Sequence, residues 1–177
     1  MRTLLWILAI GSLALTGCSA QYSRVDTGGS ARAGTHLDSG KSVLVAVPAD
    51  GSYDGKSYAG SGQMVAQRTA AAFTPHAKRV EIAPAKLDDR ERLLAAGRNA
   101  GAGYLIIPSI AHWEPRATEW SGRPSRASIG MAIVDVSTGK DLTSALLESR
   151  SRIVSWTGTS PESLLPHLVG EYADGLY

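Results

Sequence analysis

Cysteine is almost absent from this chain. Of 177 residues only Cys18 carries a thiol, so no disulfide closes within it and no cysteine cluster holds a metal. Histidine is scarce too, and His36, His76, His112 and His167 are too scattered for any pair to have metal-ligand spacing. Neither sign of charge dominates: 18 Lys and Arg face 16 Asp and Glu, which gives no electrostatic argument for a nucleic-acid partner. No apolar run reaches the roughly 20 residues that a membrane-spanning helix needs. Aromatic side chains make up only 6% of the chain, so a stretch holding two of its four tryptophans stands out.

The longest apolar run covers residues 4–15. Arg2 precedes it, and Leu15-Thr16-Gly17-Cys18 closes it with small residues. Charge, short apolar core and small-residue cut site form the pattern of a secretory signal. The Leu-Thr-Gly-Cys ending resembles the lipobox of bacterial lipoproteins. That resemblance implies removal of residues 1–17 as a signal peptide, with Cys18 becoming an acylated first residue that carries several chains, palmitate among them. Two or more chains anchor durably, where a single one is marginal. Ser19 stands where an Asp would resemble the inner-membrane retention signal. The expected location is therefore the outer membrane, facing the periplasm. Losing residues 1–17 removes Arg2 alone, which leaves 17 basic against 16 acidic side chains. Residues 18–40 are rich in Gly, Ser, Ala, Thr and Arg without apolar period and read as the lipidated cysteine and a flexible tether. Residues 41–177 are long enough for one domain with its own core.

Within that domain, residues 42–47 are a continuous apolar, β-rich run stopped by Pro48, which predicts a strand buried on both faces and central in its sheet. Residues 50–62 read as loop. Met64, Val65, Thr69, Ala72 and Phe73 recur at helical spacing, with Ser61 as N-cap, and predict a helix over 62–74. Residues 78–83 predict a second strand. Asp88-Asp89-Arg90-Glu91 opens a second helix that ends at the Gly101-Ala102-Gly103 break, and residues 104–110 predict a third strand. Strand and helix alternating in this way build parallel crossovers. Residues 126–136 and 141–156 then predict an antiparallel hairpin with one wet face, carrying Glu148, Arg150 and Arg152. Residues 160–177 predict a terminal helix in which Pro166 either makes a kink or marks the true start.

The phrase Gly101-Ala102-Gly103-Tyr104-Leu105-Ile106-Ile107-Pro108-Ser109-Ile110 and the hairpin Val134-Asp135-Val136-Ser137-Thr138-Gly139-Lys140 resemble the small periplasmic domain shared by several envelope lipoproteins. Among these are the penicillin-binding-protein activator lipoproteins, the amino-terminal domain of the Tol system's periplasmic protein and the curli-secretion lipoprotein. The whole chain is similar to a family of short pseudomonad outer-membrane lipoproteins of unknown function. The fold class implied is α/β with an α+β tendency: a two- or three-layer sandwich of βαβαβ crossovers, an antiparallel hairpin and a C-terminal helix. The role implied is that of a non-enzymatic binding or adapter module in cell-envelope assembly or maintenance. Its partner is an envelope protein or the cell wall, not nucleic acid or nucleotide, and it needs no cofactor or metal.

Two stretches invite a chemical reading. Residues 50–57 look at first like a phosphate-binding loop, but Asp50 stands where the motif requires glycine and Gly51 leaves the loop one residue short. A flexible surface loop is the expectation there. Residues 112–122 crowd two tryptophans, two glutamates, an arginine and a histidine behind the third strand, where open α/β sheets place their sites. Trp113, Glu114, Arg116, Thr118 and Trp120 are the candidate interaction residues, because Trp and Arg anchor interfaces at modest entropic cost. The alternatives are that Trp113 and Trp120 fold back to cap the sheet, or that His112, Glu114 and Arg116 line the pocket of a small periplasmic enzyme or ligand-binding domain within residues 111–126. The terminal helix lacks the basic face of a membrane-surface helix and reads as core packing. The arginines in the hairpin's second arm argue against a pore strand.

Overall fold

The computed structural model describes residues 21–28, 35–115, 123–151 and 160–177. Strand β2 (Ser42–Val45) is apolar on both sides because both are covered. Val43 and Val45 enter one core cluster, Leu44 and Ala46 the other. It runs parallel to β5 (Arg79–Ile82) on one side and to β6 (Tyr104–Glu114) on the other. Helices α1 (Ser61–Phe73) and α2 (Arg90–Asn99) make the two crossovers, as the alternation of elements predicts. β6 then pairs antiparallel with β7 (Arg126–Asp135), and β7 with β8 (Asp141–Arg150). The turn between them is held by the Asp135 carboxylate, which accepts from the amides of Ser137 and Thr138 at 3.0 Å each, and by Gly139 at φ 68°. With β1 (Gln21–Gly28), six strands form one mixed sheet in the order β1-β8-β7-β6-β2-β5, and β3 (Ser52–Tyr53) and β4 (Lys56–Ser57) form a separate two-stranded hairpin.

Helix α3 (Pro161–Asp174) starts with proline at its first turn and carries Pro166 inside it, so Pro166 is not the start. Leu164, Leu165, Leu168, Val169 and Tyr172 are buried, each contributing roughly 1.5–3 kcal/mol of apolar burial. Leu165, Leu168, Val169 and Tyr172 share one core with α1 and the faces of β6, β7 and β8 turned toward it. Leu93 and Leu94 of α2 cover the opposite face, against Leu44, Leu105, Val134 and Val136. The architecture is thus the α/β sandwich expected, three layers deep around β2. No described helix covers the opposite face over the far ends of β6, β7 and β8.

Four local expectations are corrected. Residues 21–28, expected within a tether, form β1 (Gln21–Gly28), which pairs antiparallel with β8 from Gln21 opposite Arg150 to Gly28 opposite Ser144. β8 would otherwise end the sheet with unpaired amides and carbonyls, and backbone pairing needs little apolar pattern. Tyr22 packs against the main core, and the Arg24 guanidinium lies 5.0 Å from the Tyr172 ring centroid. β6 runs to Glu114, four residues past its expected end. β8 stops at Arg150, and residues 152–156 of the expected second arm lie outside the described residues. Ser61 does not cap α1. Gly60, in the left-handed region at φ 86°, holds the cap position, and the Ser61 hydroxyl accepts instead from the Gly51 amide at 2.8 Å.

Candidate functional site

A bulge builds the site. Ile110 lies opposite Ile129, but His112 lies opposite Ser128, so Ala111 is one residue too many in β6. Strict alternation from Ile110, which packs inward, would have turned His112 inward and Trp113 outward. The extra residue reverses that. Trp113 enters the main core at 1% exposure, while His112 and Glu114 stand on the uncovered face beside Arg126 and Ser128.

The 50–58 segment completes the arrangement. Tyr58 donates its amide to the Gly51 carbonyl at 2.9 Å, closing the β3–β4 hairpin, which lies against β6. Gly51 sits directly on Trp113: a Cβ there would come within 2.8 Å of the Trp113 Cβ. From this hairpin the Tyr53 hydroxyl donates to Glu114 Oε1 at 2.9 Å. His112 Nε2 lies 3.1 Å from Glu114 Oε2, and the Tyr53 and His112 rings meet edge to face at 5.6 Å. Arg126 Nε approaches the same carboxylate at 3.9 Å. Burial alone would push the Glu114 carboxyl up. The bonds from His112 and Tyr53 and the charge of Arg126 outweigh it and hold the group below the usual range, hence ionised at neutral pH. The bond to Glu114 in turn raises the Tyr53 phenol.

Beside this cluster an open groove of about 310 Å³ runs across β6, β7 and β8. Its polar lining alternates in sign: His112 and Arg126, then Ser128 donating to Glu148 Oε1 at 3.2 Å, then Arg150 directly across the sheet from Arg126. Ala111 and Leu146 form its apolar floor. Paired charges of both signs and short hydroxyls around a small apolar floor make a surface for recognising polar or zwitterionic groups.

Of the candidates read from sequence, Glu114 and its neighbour His112 are brought together here. Trp113 is not an exposed anchor: its ring is sealed in the core, and of the two readings of that residue the one that packs it against the sheet describes its position. Arg116, Thr118 and Trp120 lie outside the described residues. Tyr53, Arg126, Ser128 and Glu148 were not singled out. The wet side of the hairpin was legible from Glu148 and Arg150, but its meeting with His112 depends on the bulge. The phosphate-loop likeness ends at α1, where the Gly62 amide, the donor a phosphate would need, is taken at 2.8 Å by the Asp50 carboxylate. Elsewhere His76 pairs with Asp174 at 2.9 Å and His167 with Glu171 at 3.6 Å. No group of three or more metal-ligating side chains occurs among the described residues.

Residues 35–176 match the family model described as a domain of unknown function, DUF4823. No curated protein matches the chain. Among solved structures, PelC of Paraburkholderia phytofirmans, determined as a dodecamer, is 19% identical, with a TM-score of 0.67 over 88% of this chain and 97% of that one. Lipoprotein GNA1162 of Neisseria meningitidis is 18% identical, with a TM-score of 0.50 over 76% of this chain and 94% of that one. The C-terminal domain of LpoB from Escherichia coli is a more distant likeness, 19% identical at a TM-score of 0.41, over 68% and 87%. At these identities the first two establish a common fold.

Proposed function

For a chain that belongs to the DUF4823 family, whose domain has no assigned function, we propose the role of a lipid-anchored lipoprotein of the outer membrane that faces the periplasm and works by binding. Cys18, freed by removal of residues 1–17, carries the lipid. The domain acts as an adapter in envelope assembly or maintenance, without turnover. Its contact surface is the sheet face around His112, Glu114, Arg126, Ser128 and Glu148, and Arg116, Thr118 and Trp120 are proposed as further contact residues.

One observation carries this reading: a bulge spends a residue of β6 to turn His112 and Glu114 onto a part of the sheet that no described helix covers, where they meet a hairpin already lined with charge. Bulges re-aim side chains in this way next to functional sites. The Leu-Thr-Gly-Cys sequence supports the anchor, and the fold shared with a Neisseria lipoprotein agrees with it. The groove's small volume and fixed Glu114 favour a second reading, capture of a small polar ligand at the same place.

The test is a photo-crosslinker at Leu146, on the groove floor, in cells carrying the full chain. The first reading expects a discrete envelope protein or wall fragment that is lost when His112→Ala and Glu148→Gln are introduced together. Capture of no macromolecule, with a small molecule released from the purified protein, would favour the second. An unchanged crosslink in the double variant would remove the groove from both.

A further inference from the structure

Only residues 19 and 20 separate Cys18 from the first residue of β1, and three residues fully extended span at most about 10 Å. One leaflet's headgroup layer is about 5–8 Å thick. If the lipid is on Cys18, the domain therefore has no tether, and one particular end of its sheet is pinned at the membrane. The pairing register names that end. Gln21 lies opposite Arg150, Arg150 opposite Arg126, and Arg126 opposite Glu114, a single row across β1, β8, β7 and β6. Cα atoms paired in this way are about 5 Å apart, so both arginines stand within roughly 10 Å of the residue that leaves the membrane. Arg126 and Arg150 side by side would repel each other over an empty surface. Glu114 answers Arg126 only at 3.9 Å, and Arg150 has no ion pair among the described residues. Arg123 lies just ahead of β7 at the same end. The opposite end, at Thr138 and Gly139, is about 30 Å away along β7.

We infer that the Arg126–Arg150 end of the sheet docks on the leaflet that holds the Cys18 lipid, the two guanidiniums taking phospholipid phosphates. Arginine suits this because its planar fork matches two phosphate oxygens at once. The inference rests on the proposed lipidation and extends it: the strands stand up from the bilayer, and the groove opens sideways just above it. Whatever fills the groove is then itself at the membrane surface.

Cys18 being the sole thiol, an introduced cysteine gives one labelling site in the acylated full chain. Ser23→Cys places a nitroxide near the proposed contact and Thr138→Cys places one at the far end. Both proteins are reconstituted in vesicles of phosphatidylethanolamine and phosphatidylglycerol with a nickel-chelating lipid. The Ser23 label is expected to relax several times faster than the Thr138 label. Arg126→Gln with Arg150→Gln should lower the docked-to-undocked ratio about fivefold for each arginine removed. The Arg→Lys pair at the same positions keeps the charge and should keep most of the ratio, which separates docking from any loss of fold. Equal relaxation of the two labels, or a ratio unmoved by the glutamine pair, overturns the inference. Intact mass on the same samples separates the failures: acylated Cys18 with equal relaxation sinks the docking alone, whereas a bare Cys18 sinks the anchor and the docking together.

Discussion

Asp135 gathers the amides and hydroxyls of Ser137 and Thr138 and, at 3.3 Å, the ammonium of Lys41, which also lies 4.7 Å from the Tyr104 ring centroid. The Ser137 bond is the largest of these effects, and together they outweigh burial and lower the carboxyl to about 2. A carboxyl depressed in the folded state stabilises it at any pH above the unfolded value near 3.8, and that stability drains away as pH falls from about 4 through 2. We expect Asp135→Asn to cost on the order of 2 kcal/mol at neutral pH and to flatten the acid limb of the stability curve over that window, measured by denaturant titration at successive pH values. Trp113 allows a sharper separation. Because its ring is sealed in the core, Trp113→Ala should lower unfolding free energy by about 3–5 kcal/mol. His112 is half-exposed, so His112→Ala should cost about 1 kcal/mol, that of its bond to Glu114, while still weakening the groove crosslink. If the two variants have equal stability, the burial assigned to Trp113 is wrong. Glu114→Gln, finally, should bring the Tyr53 phenol back down toward its ordinary value of 10.0, visible in a spectrophotometric titration. At this scale the sequence was informative about chemistry and silent about direction. His112 and Glu114 were conspicuous, but nothing in the letters says which way Trp113 points.

Direction is settled by elements. β2 and β6 were legible as near-unbroken apolar runs, β5 as Val80 and Ile82 alternating with charged neighbours, and the helices between them by their apolar stripes. β1 was not, since a strand held by backbone pairing along one edge shows little apolar period. The bulge at Ala111 was not either, because one inserted residue leaves no compositional trace yet exchanges the two faces of everything after it. This yields a test at the same scale. Deleting Ala111 removes the extra residue itself, so His112 then follows Ile110 in strict alternation and keeps its outward face while Trp113 stays in the core; the deletion should cost less than Trp113→Ala, and Ala111→Gly, which keeps the count, should be mild. Hydrogen exchange along β6 and β7 reads the register directly. A deletion that shifts those protection patterns, or that costs as much as Trp113→Ala, would show that Ala111 is not the extra residue.

At the scale of the whole molecule, the sequence points to a compartment more directly than to a task. A short apolar leader ending at a lone cysteine is a local signal, written in consecutive residues. The open sheet face is nonlocal: α2 covers only part of the sheet, and the row from Gln21 to Glu114 joins four strands from across the chain. The fold shared with PelC and with a Neisseria lipoprotein gives the frame on which such a face is presented, and the chemistry of the face belongs to this chain. The proposed placement at a membrane would turn the face into a surface with a defined height and outlook, so the proposed function depends on the thiol at position 18. The direct measurement is the intact mass of the full-length protein extracted from the producing cell's outer membrane. The account predicts a chain starting at Cys18 with several acyl chains attached. A chain still carrying residues 1–17, or starting at an unmodified Cys18, would contradict it.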